Sequence, residues 1–190
     1  MTARSRGRLI VLSGPSGVGK GSVMSLVRQR DLPVWASVSC TTRPPRPGER
    51  DGVHYFFIDE DEFVRRIETG QMLEHAQFAG RRYGTPREAV EAHLAAGESV
   101  LLEIELAGAR QVKEAMPEAF MVFLAPPSRT ELQRRLVGRG TETKEQIAAR
   151  LAQAEVELAA AEEFDTVIVN NDLTAATEQL VDLILGHGSY

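Results

Sequence analysis

Apolar residues recur along this chain in two rhythms. Four runs are almost continuously apolar, at 9–12, 100–104, 120–124 and 166–169. Runs of this kind suit strands buried on both faces at the centre of a parallel sheet. With their flanks they predict strands over Arg8–Ser13, Ser99–Ile104, Phe120–Leu124 and Thr166–Asn170. Three further runs, Ala36–Cys40, His54–Ile58 and Leu73–Phe78, mix polar and aromatic residues and lie close together. They predict a smaller, partly exposed sheet, mixed or antiparallel. Between strands the period lengthens to that of a helix. Gly21–Arg30 is one helical segment, and Pro86 is placed as a first-turn proline for a helix to about Ala96, closed by Gly97. Ala107–Ala115 is another, stopped near Pro117, and Ser128 with Glu131 forms a capping box for the next. Lys144–Glu163 presents Ile147, Leu151, Ala154 and Leu158 on one face, and Thr174–Leu185 presents Leu180, Leu183 and Ile184. Strands alternating with helices predict an α/β core with helices on both sheet faces. The mixed segment at about 37–87 and the Arg-rich segment at about 128–156 then read as insertions at one edge of that core.

The first strand opens onto Ser13-Gly14-Pro15-Ser16-Gly17-Val18-Gly19-Lys20, and a helix follows. Strand, glycine loop, lysine and helix in this order form the context of a phosphate-binding P-loop, with the pattern G-x-x-x-x-G-K. Glycines let backbone N–H groups turn inward around a phosphate. The helix start adds the positive end of its dipole, and Lys20 reaches the outer phosphates as a point charge. The full pattern places Ser or Thr after the lysine, where its hydroxyl helps hold Mg²⁺; here Gly21 stands there and Ser22 comes next. Either Ser22 substitutes, or the metal is held mainly by phosphates and water, as Mg²⁺ chemistry allows.

Composition narrows the partners. With 190 residues there is material for one well-packed domain, and a net charge of −5 with a pI near 5.5 argues against a duplex nucleic-acid binder. The single cysteine, Cys40, excludes an internal disulfide and fits a reducing, cytoplasmic setting. No apolar run approaches the roughly 20 residues needed to span a bilayer. After Arg4, Arg6 and Arg8 only Leu9–Leu12 follow, too short for a signal-peptide core, so the basic start reads as a solvated tail. His54, His75, His93 and His187 lack metal-ligand spacing, Trp35 reads as packing, and Cys40 reads as a small core or near-site residue.

A second constellation occupies 37–55. Arg43 and Arg46 flank the Pro44-Pro45 pair, which stiffens the backbone and disfavours helix. Two guanidinium groups held at a fixed separation, with Tyr55, could grip a phosphate monoester. A solvated, turn-rich surface loop explains this segment equally well.

Taken together, GPSGVGK, SVSCTTRPPRPGERDGVHYFF, LEHAQFAGRRYGTP, LLEIELAGARQV, RRLVGRGTET and VIVNND closely resemble guanylate kinases, in the family's order and spacing, from about 8 to 186. The likeness is greatest to bacterial housekeeping members. It implies a P-loop NTPase-type parallel sheet flanked by helices, with a small mixed-sheet GMP-binding insertion and a helical lid. The core would comprise 1–36, 88–127 and 157–190, the GMP-binding domain 37–87 and the lid 128–156. The implied reaction moves the γ-phosphoryl group of ATP to GMP, giving ADP and GDP, with Mg²⁺ as cofactor. The partners implied are these small molecules, with neither nucleic acid nor membrane.

The resemblance also assigns roles. ATP would be held by Ser13, Gly14, Pro15, Ser16, Gly17, Val18, Gly19, Lys20, Gly21 and Ser22, with Asn170 near the adenine or ribose. Arg43, Arg46, Tyr55 and Tyr83 match the family's GMP-phosphate ligands, and Ser39, Glu74 and Thr85 its guanine-reading residues. Guanine presents two adjacent donors, which one carboxylate accepts, and hydroxyls from Ser39 and Thr85 can donate to its carbonyl. Taken alone, Glu74 reads more simply as an exposed strand carboxylate. Glu103 aligns with an acidic position near GMP and the metal waters. Glu105 stands where the family usually has Asp, and Ala107 where it often has Gln. Mg²⁺ would be bound through phosphates and waters, with Ser22, Glu103 and Glu105 as candidate contacts. Arg135, Arg139 and Arg150 match the lid cations, and with Lys20 and Arg43 they form the implied catalytic set; Arg134 reads as a solvated surface charge. Two rivals stand beside this reading, a related ribose bisphosphate kinase and a catalytically inactive guanylate-kinase-like binding module.

Overall fold

The computed structural model describes residues 6–78, 80–137 and 144–186, the side chains of Lys144 and Gln146 excepted. Arg4, Gly138, Arg139, Gly140 and His187 therefore lie outside the described residues. The elements run β1 (Leu9–Ser13), α1 (Lys20–Arg28), β2 (Val34–Ala36), β3 (Cys40–Thr41), β4 (Phe56–Phe57), α2 (Glu60–Glu68), β5 (Met72–Phe78) and β6 (Arg81–Pro86). They continue with α3 (Arg87–Ala95), β7 (Ser99–Glu103), α4 (Leu106–Ala115), β8 (Phe120–Ala125), α5 (Arg129–Val137), α6 (Lys144–Ala159), a 3₁₀ turn (Ala160–Glu163), β9 (Thr166–Val169) and α7 (Leu173–Leu185). Among the described residues the strands form two sheets, a parallel one of order β2-β7-β1-β8-β9 and a mixed one of order β4-β3-β6-β5.

The chain divides into two compact units. One comprises Ile10–Pro33, Glu103–Leu106 and Phe120–Tyr190. In it β1 pairs with β8, Ile10 opposite Phe120 and Leu12 opposite Val122, and β8 pairs with β9. Ile10, Val11, Leu12, Val122, Phe123 and Leu124 are fully buried, as the continuous apolar runs predict. β9 departs from that expectation. It ends the sheet order, so only Ile168 is buried while Val167 and Val169 remain 45% and 48% exposed. An apolar run cannot distinguish a central strand from an edge strand with one open face. α7 starts where the Asp172 carboxylate accepts the Ala175 N–H at 2.8 Å. α5 begins with the expected cap, Glu131 N–H donating to Ser128 Oγ at 3.1 Å. It packs Leu132 and Leu136 against Ala154 of α6, with Leu151 and Leu158 alongside.

The other unit comprises Met1–Leu9, Val34–Leu102 and Ala107–Ala119. The stretch Ala36–Cys40 is not one strand. Ser37 N–H donates to Leu101 O and so continues the β2–β7 ladder, whereas Ser39 O accepts from Phe56 N–H and starts the β3–β4 ladder. The backbone changes sheets between them. Cys40 belongs to a core cluster with Phe63 and Met72, flanked by Phe56, Ile58 and Ile67. Phe63 comes from α2, a helix that the strand-and-helix rhythm did not reveal. Pro86 is the residue before α3 rather than part of its first turn: its extended ψ of 124° keeps it in β6, opposite Met72. Trp35 stacks on His93 with centroids 4.1 Å apart, which is a packing role.

Candidate active site

Glycine conformations shape the 13–20 loop. Gly14 has φ 147°, and a Cβ there would stand 2.3 Å from the Leu124 carbonyl oxygen, so the loop leaves β1 through a gap only glycine fits. Gly19, at φ 103°, is the N-cap of α1 and brings no side-chain cap. The first-turn N–H groups of α1 thus lack a capping side chain, the usual condition of an anion site at a helix start. Val18 is fully buried and anchors the loop: its carbonyl accepts Asn170 Nδ2 at 2.8 Å and Arg135 Nη1 at 3.2 Å. Ser13 Oγ is buried and, among the described residues, without a hydrogen-bond partner. Gly21 and Ser22 sit exposed in the first turn of α1.

Lys20 curls back over its own loop, Nζ donating to the Gly14 and Pro15 carbonyls. Burial pushes its pKa down, opposed by the negative charges of Glu103, Glu157 and Glu105. Burial likewise pushes Glu103 up, opposed by Lys20 and Arg28. A buried ammonium with carboxylates as its compensating charges is a group that further anionic charge would stabilise. Glu103 thus belongs with the phosphate-type loop: its Oε1 lies 3.7 Å from where a Gly21 Cβ would be. Glu105, by contrast, is exposed.

The lid-type arginines differ in setting. Arg135 Nε donates to Glu131 Oε1 at 2.8 Å while its Nη1 and Nη2 reach the Val18 and Asn170 carbonyls, which lays it along the loop. Arg150 donates to the Leu136 carbonyl at 3.4 Å. Arg134 pairs with Glu131 on the surface with 75% of its side chain exposed, as expected. Arg139 lies outside the described residues. Asn170, implied near adenine or ribose, directs its side-chain donor at the loop itself, to Val18.

The second cluster lies wholly within the other unit. Arg43 forms a bidentate pair with Glu49, at 2.9 and 2.8 Å, which holds the Glu49 carboxyl at about 2. Its guanidinium carbon lies 5.3 Å from the Tyr55 ring centroid, and Tyr55 meets Tyr83 edge-on at 6.1 Å. Arg43, Tyr55 and Tyr83 are therefore together. Arg46 gives its backbone N–H to Glu49 at 2.7 Å and keeps an exposed side chain. Ser39 is half-buried beside β3. Glu74 is no exposed strand carboxylate: it is 5% exposed, and its cross-strand neighbour Thr85 donates to its Oε1 at 2.7 Å. The Thr85 hydroxyl proton therefore goes to Glu74. Gly108 makes room for the other oxygen, since a Cβ there would stand 2.4 Å from Glu74 Oε2.

Two residues escaped the sequence reading. Glu157, only 9% exposed, accepts the loop N–H of Ser16 at 3.2 Å and Gln153 Nε2 at the same distance. Its one signal was position, a carboxylate three residues beyond Ala154 on an otherwise apolar face. Gln111 bonds the backbone of His75, next to Glu74. Nothing in the sequence distinguishes it from any helix glutamine.

Among the described residues there is no group of three or more His, Cys, Asp or Glu that could hold a metal. The oxygen donors that the sequence offers for a metal are the half-buried Glu103 carboxylate and the exposed Ser22 and Glu105, while the Glu157 carboxylate is engaged by the loop N–H of Ser16. Such hard donors fit a hydrated Mg²⁺ that takes most of its ligands elsewhere.

The guanylate kinase family model matches residues 6–186. A guanylate kinase of Frankia casuarinae is 61% identical over 178 residues, 94% of this chain and 97% of that protein. One of Thermobifida fusca is 59% identical, covering 93% of this chain and 90% of its own length. Among solved structures, the crystal structure of guanylate kinase from Anaplasma phagocytophilum matches at a TM-score of 0.78 and 33% identity, covering 98% of this chain and 89% of that chain.

Proposed function

The chain belongs to the guanylate kinase family and is an ATP:GMP phosphotransferase, and we propose that it binds ATP·Mg²⁺ on the 13–22 loop and GMP on the 37–87 segment, with 128–156 as the lid. In this reading Lys20 and the N–H groups of the loop hold the ATP phosphates. Arg43, Arg46, Tyr55 and Tyr83 hold the GMP phosphate. Arg135, Arg139 and Arg150 neutralise charge as it develops on the transferred group. An oxygen of the GMP phosphate attacks the γ-phosphorus in line, the bond to the ADP oxygen breaks, and GDP and ADP result. The attacking phosphate is already anionic, so no general base is needed, and rate comes from positioning and charge. Glu103, Ser22 and Glu105 are the residues that would meet the metal, which would supply neutralising charge to the phosphates when bound. We place the reaction in the cytoplasm, with no nucleic-acid or membrane partner. Among the described residues no helix is long and apolar enough to cross a membrane.

The observation that carries the substrate reading is Glu74, a buried carboxylate held by Thr85 with Gly108 cleared beside it. Guanine offers an imino and an amino hydrogen to such an acceptor. Adenine offers a lone pair where guanine has the imino hydrogen, and a buried carboxylate repels it. Mismatches of this kind discriminate by about 10⁴-fold or more. Because the Thr85 proton goes to Glu74, Ser39 is the side-chain donor we assign to the guanine carbonyl. The test is ADP release with ATP·Mg²⁺ and each of GMP, AMP, CMP and UMP. Turnover with GMP alone supports the assignment, and comparable turnover with AMP overturns it.

A further inference from the structure

β5 is the last strand of its sheet, so among the described residues one side of its backbone has no strand neighbour. At His75, the residue after Glu74, that side is nevertheless filled. Gln111 Oε1 accepts the His75 N–H at 3.0 Å, and Gln111 Nε2 donates to the His75 carbonyl at 2.8 Å and to the Ala107 carbonyl at 3.3 Å. One side-chain amide thus reproduces the pair of bonds that a neighbouring strand would make. The ladder on the opposite side is irregular just before this point, with a register shift between Met72 and Glu74. Strand pairing alone therefore fixes the backbone at Glu74 weakly, and the amide clamp supplies the missing constraint. Gln111 also lies one helical turn beyond Gly108 on α4, the glycine that admits Glu74 Oε2. The same helix clears space for the carboxylate and holds the peptide beside it.

Building on the assignment of Glu74 as the guanine acceptor, we infer that Gln111 is a positioning residue for base selection. It touches no base. It sets the 74–75 peptide and through it the line along which Glu74 meets the two guanine donors. A carboxylate accepting two parallel hydrogen bonds loses both as it tilts, because hydrogen bonds weaken steeply off-axis.

The test compares Gln111→Leu, Gln111→Glu and Glu74→Gln in steady-state kinetics with GMP and with IMP, whose base lacks the amino donor. The KM for ATP and thermal unfolding are measured alongside. Gln111→Leu removes the clamp and is expected to raise KM for GMP about tenfold, reduce the preference for GMP over IMP, and leave KM for ATP within about twofold. Gln111→Glu keeps the acceptor for the His75 N–H but loses the donor, so it should fall between wild type and Gln111→Leu, and it serves as the folded variant should Gln111→Leu not fold. A KM for GMP and a GMP-to-IMP preference that stay within about twofold of wild type overturn the inference, as does an equal rise in both KM values. Glu74→Gln separates the two levels. If it collapses GMP turnover while the Gln111 variants do not, only the positioning role fails. If it leaves GMP turnover intact, the base-reading assignment fails too.

Discussion

Glu74 and Glu157 are both buried carboxylates, and what each touches sets what it can do. Glu157 accepts a backbone N–H of the phosphate-type loop, whereas Glu74 accepts a hydroxyl proton from its cross-strand partner. A carboxylate has about four acceptor sites, so accepting from Thr85 is compatible with meeting the pairing edge of guanine. Glu74→Gln replaces one acceptor with an amide donor aimed at a donor. We expect kcat/KM for GMP to fall by about 10²–10⁴-fold while ATP affinity, read by equilibrium titration, stays unchanged. Gly108→Ala should act on the same carboxylate from the opposite side. Its Cβ would stand 2.4 Å from Glu74 Oε2, so the carboxylate must rotate away from Thr85. KM for GMP should rise by about tenfold or more, with KM for ATP close to wild type; equal KM values for the variant and the parent would show that the carboxylate moves at no cost. From sequence alone Glu74 was visible only through the family resemblance, because its burial arises from a strand pairing and a helix glycine far along the chain.

At the scale of elements, legibility followed the rhythm of apolar residues. β1, β7 and β8 were read closely because a run buried on both faces leaves a continuous signature. α2 was not read, although Asp59 caps it by accepting the Glu62 N–H at 2.8 Å and Phe63 is its one fully buried residue. Its apolar face is only Phe63, Val64 and Ile67, a helical spacing too brief to stand out among the charged residues around it, and the capping pair is the other signal that marks it. β6 was missed for a related reason: its charged and aromatic residues give a small sheet little apolar alternation. The loop and α1 were legible as a motif, including the departure at Gly21. That position is exposed, lies in the first turn of α1 and offers a Cβ only the ordinary 3.7 Å contact with Glu103 Oε1. Gly21→Ala should therefore raise stability by about 1 kcal/mol, or about 2–4 °C in the midpoint of nucleotide-free thermal unfolding. A lower midpoint would show that the first turn needs glycine for its backbone rather than for space.

Across the whole molecule, two of the arginines assigned to phosphate, Arg43 and Arg135, are held by carboxylates whose protonation is strongly depressed. Glu49 holds Arg43, and Glu131 holds Arg134 and Arg135; each carboxyl is brought from its ordinary 4.5 to about 2 by side-chain hydrogen bonds from those arginines. Glu62 is brought to about 2 in the same way by Arg65 and Arg66. Between these values the unfolded chain takes up protons that the native state refuses. The stabilisation is therefore complete above about pH 4.5 and is lost as pH falls toward 2. The groups lie at the surface, so salt screens them and each contribution stays modest. Urea midpoints measured at low salt should drop steadily from about pH 5 to about pH 2.5, and the slope should shrink in about 1 M salt, where the Debye length is only about 3 Å. A triple variant, Glu49→Gln with Glu62→Gln and Glu131→Gln, should flatten that slope, because no carboxyl is left at those positions to be protonated. An unchanged slope in the triple variant would assign acid sensitivity to other carboxylates. It would also leave the arginine pairs without a measurable part in holding the fold, so that their remaining role would be to orient Arg43 and Arg135 toward phosphate.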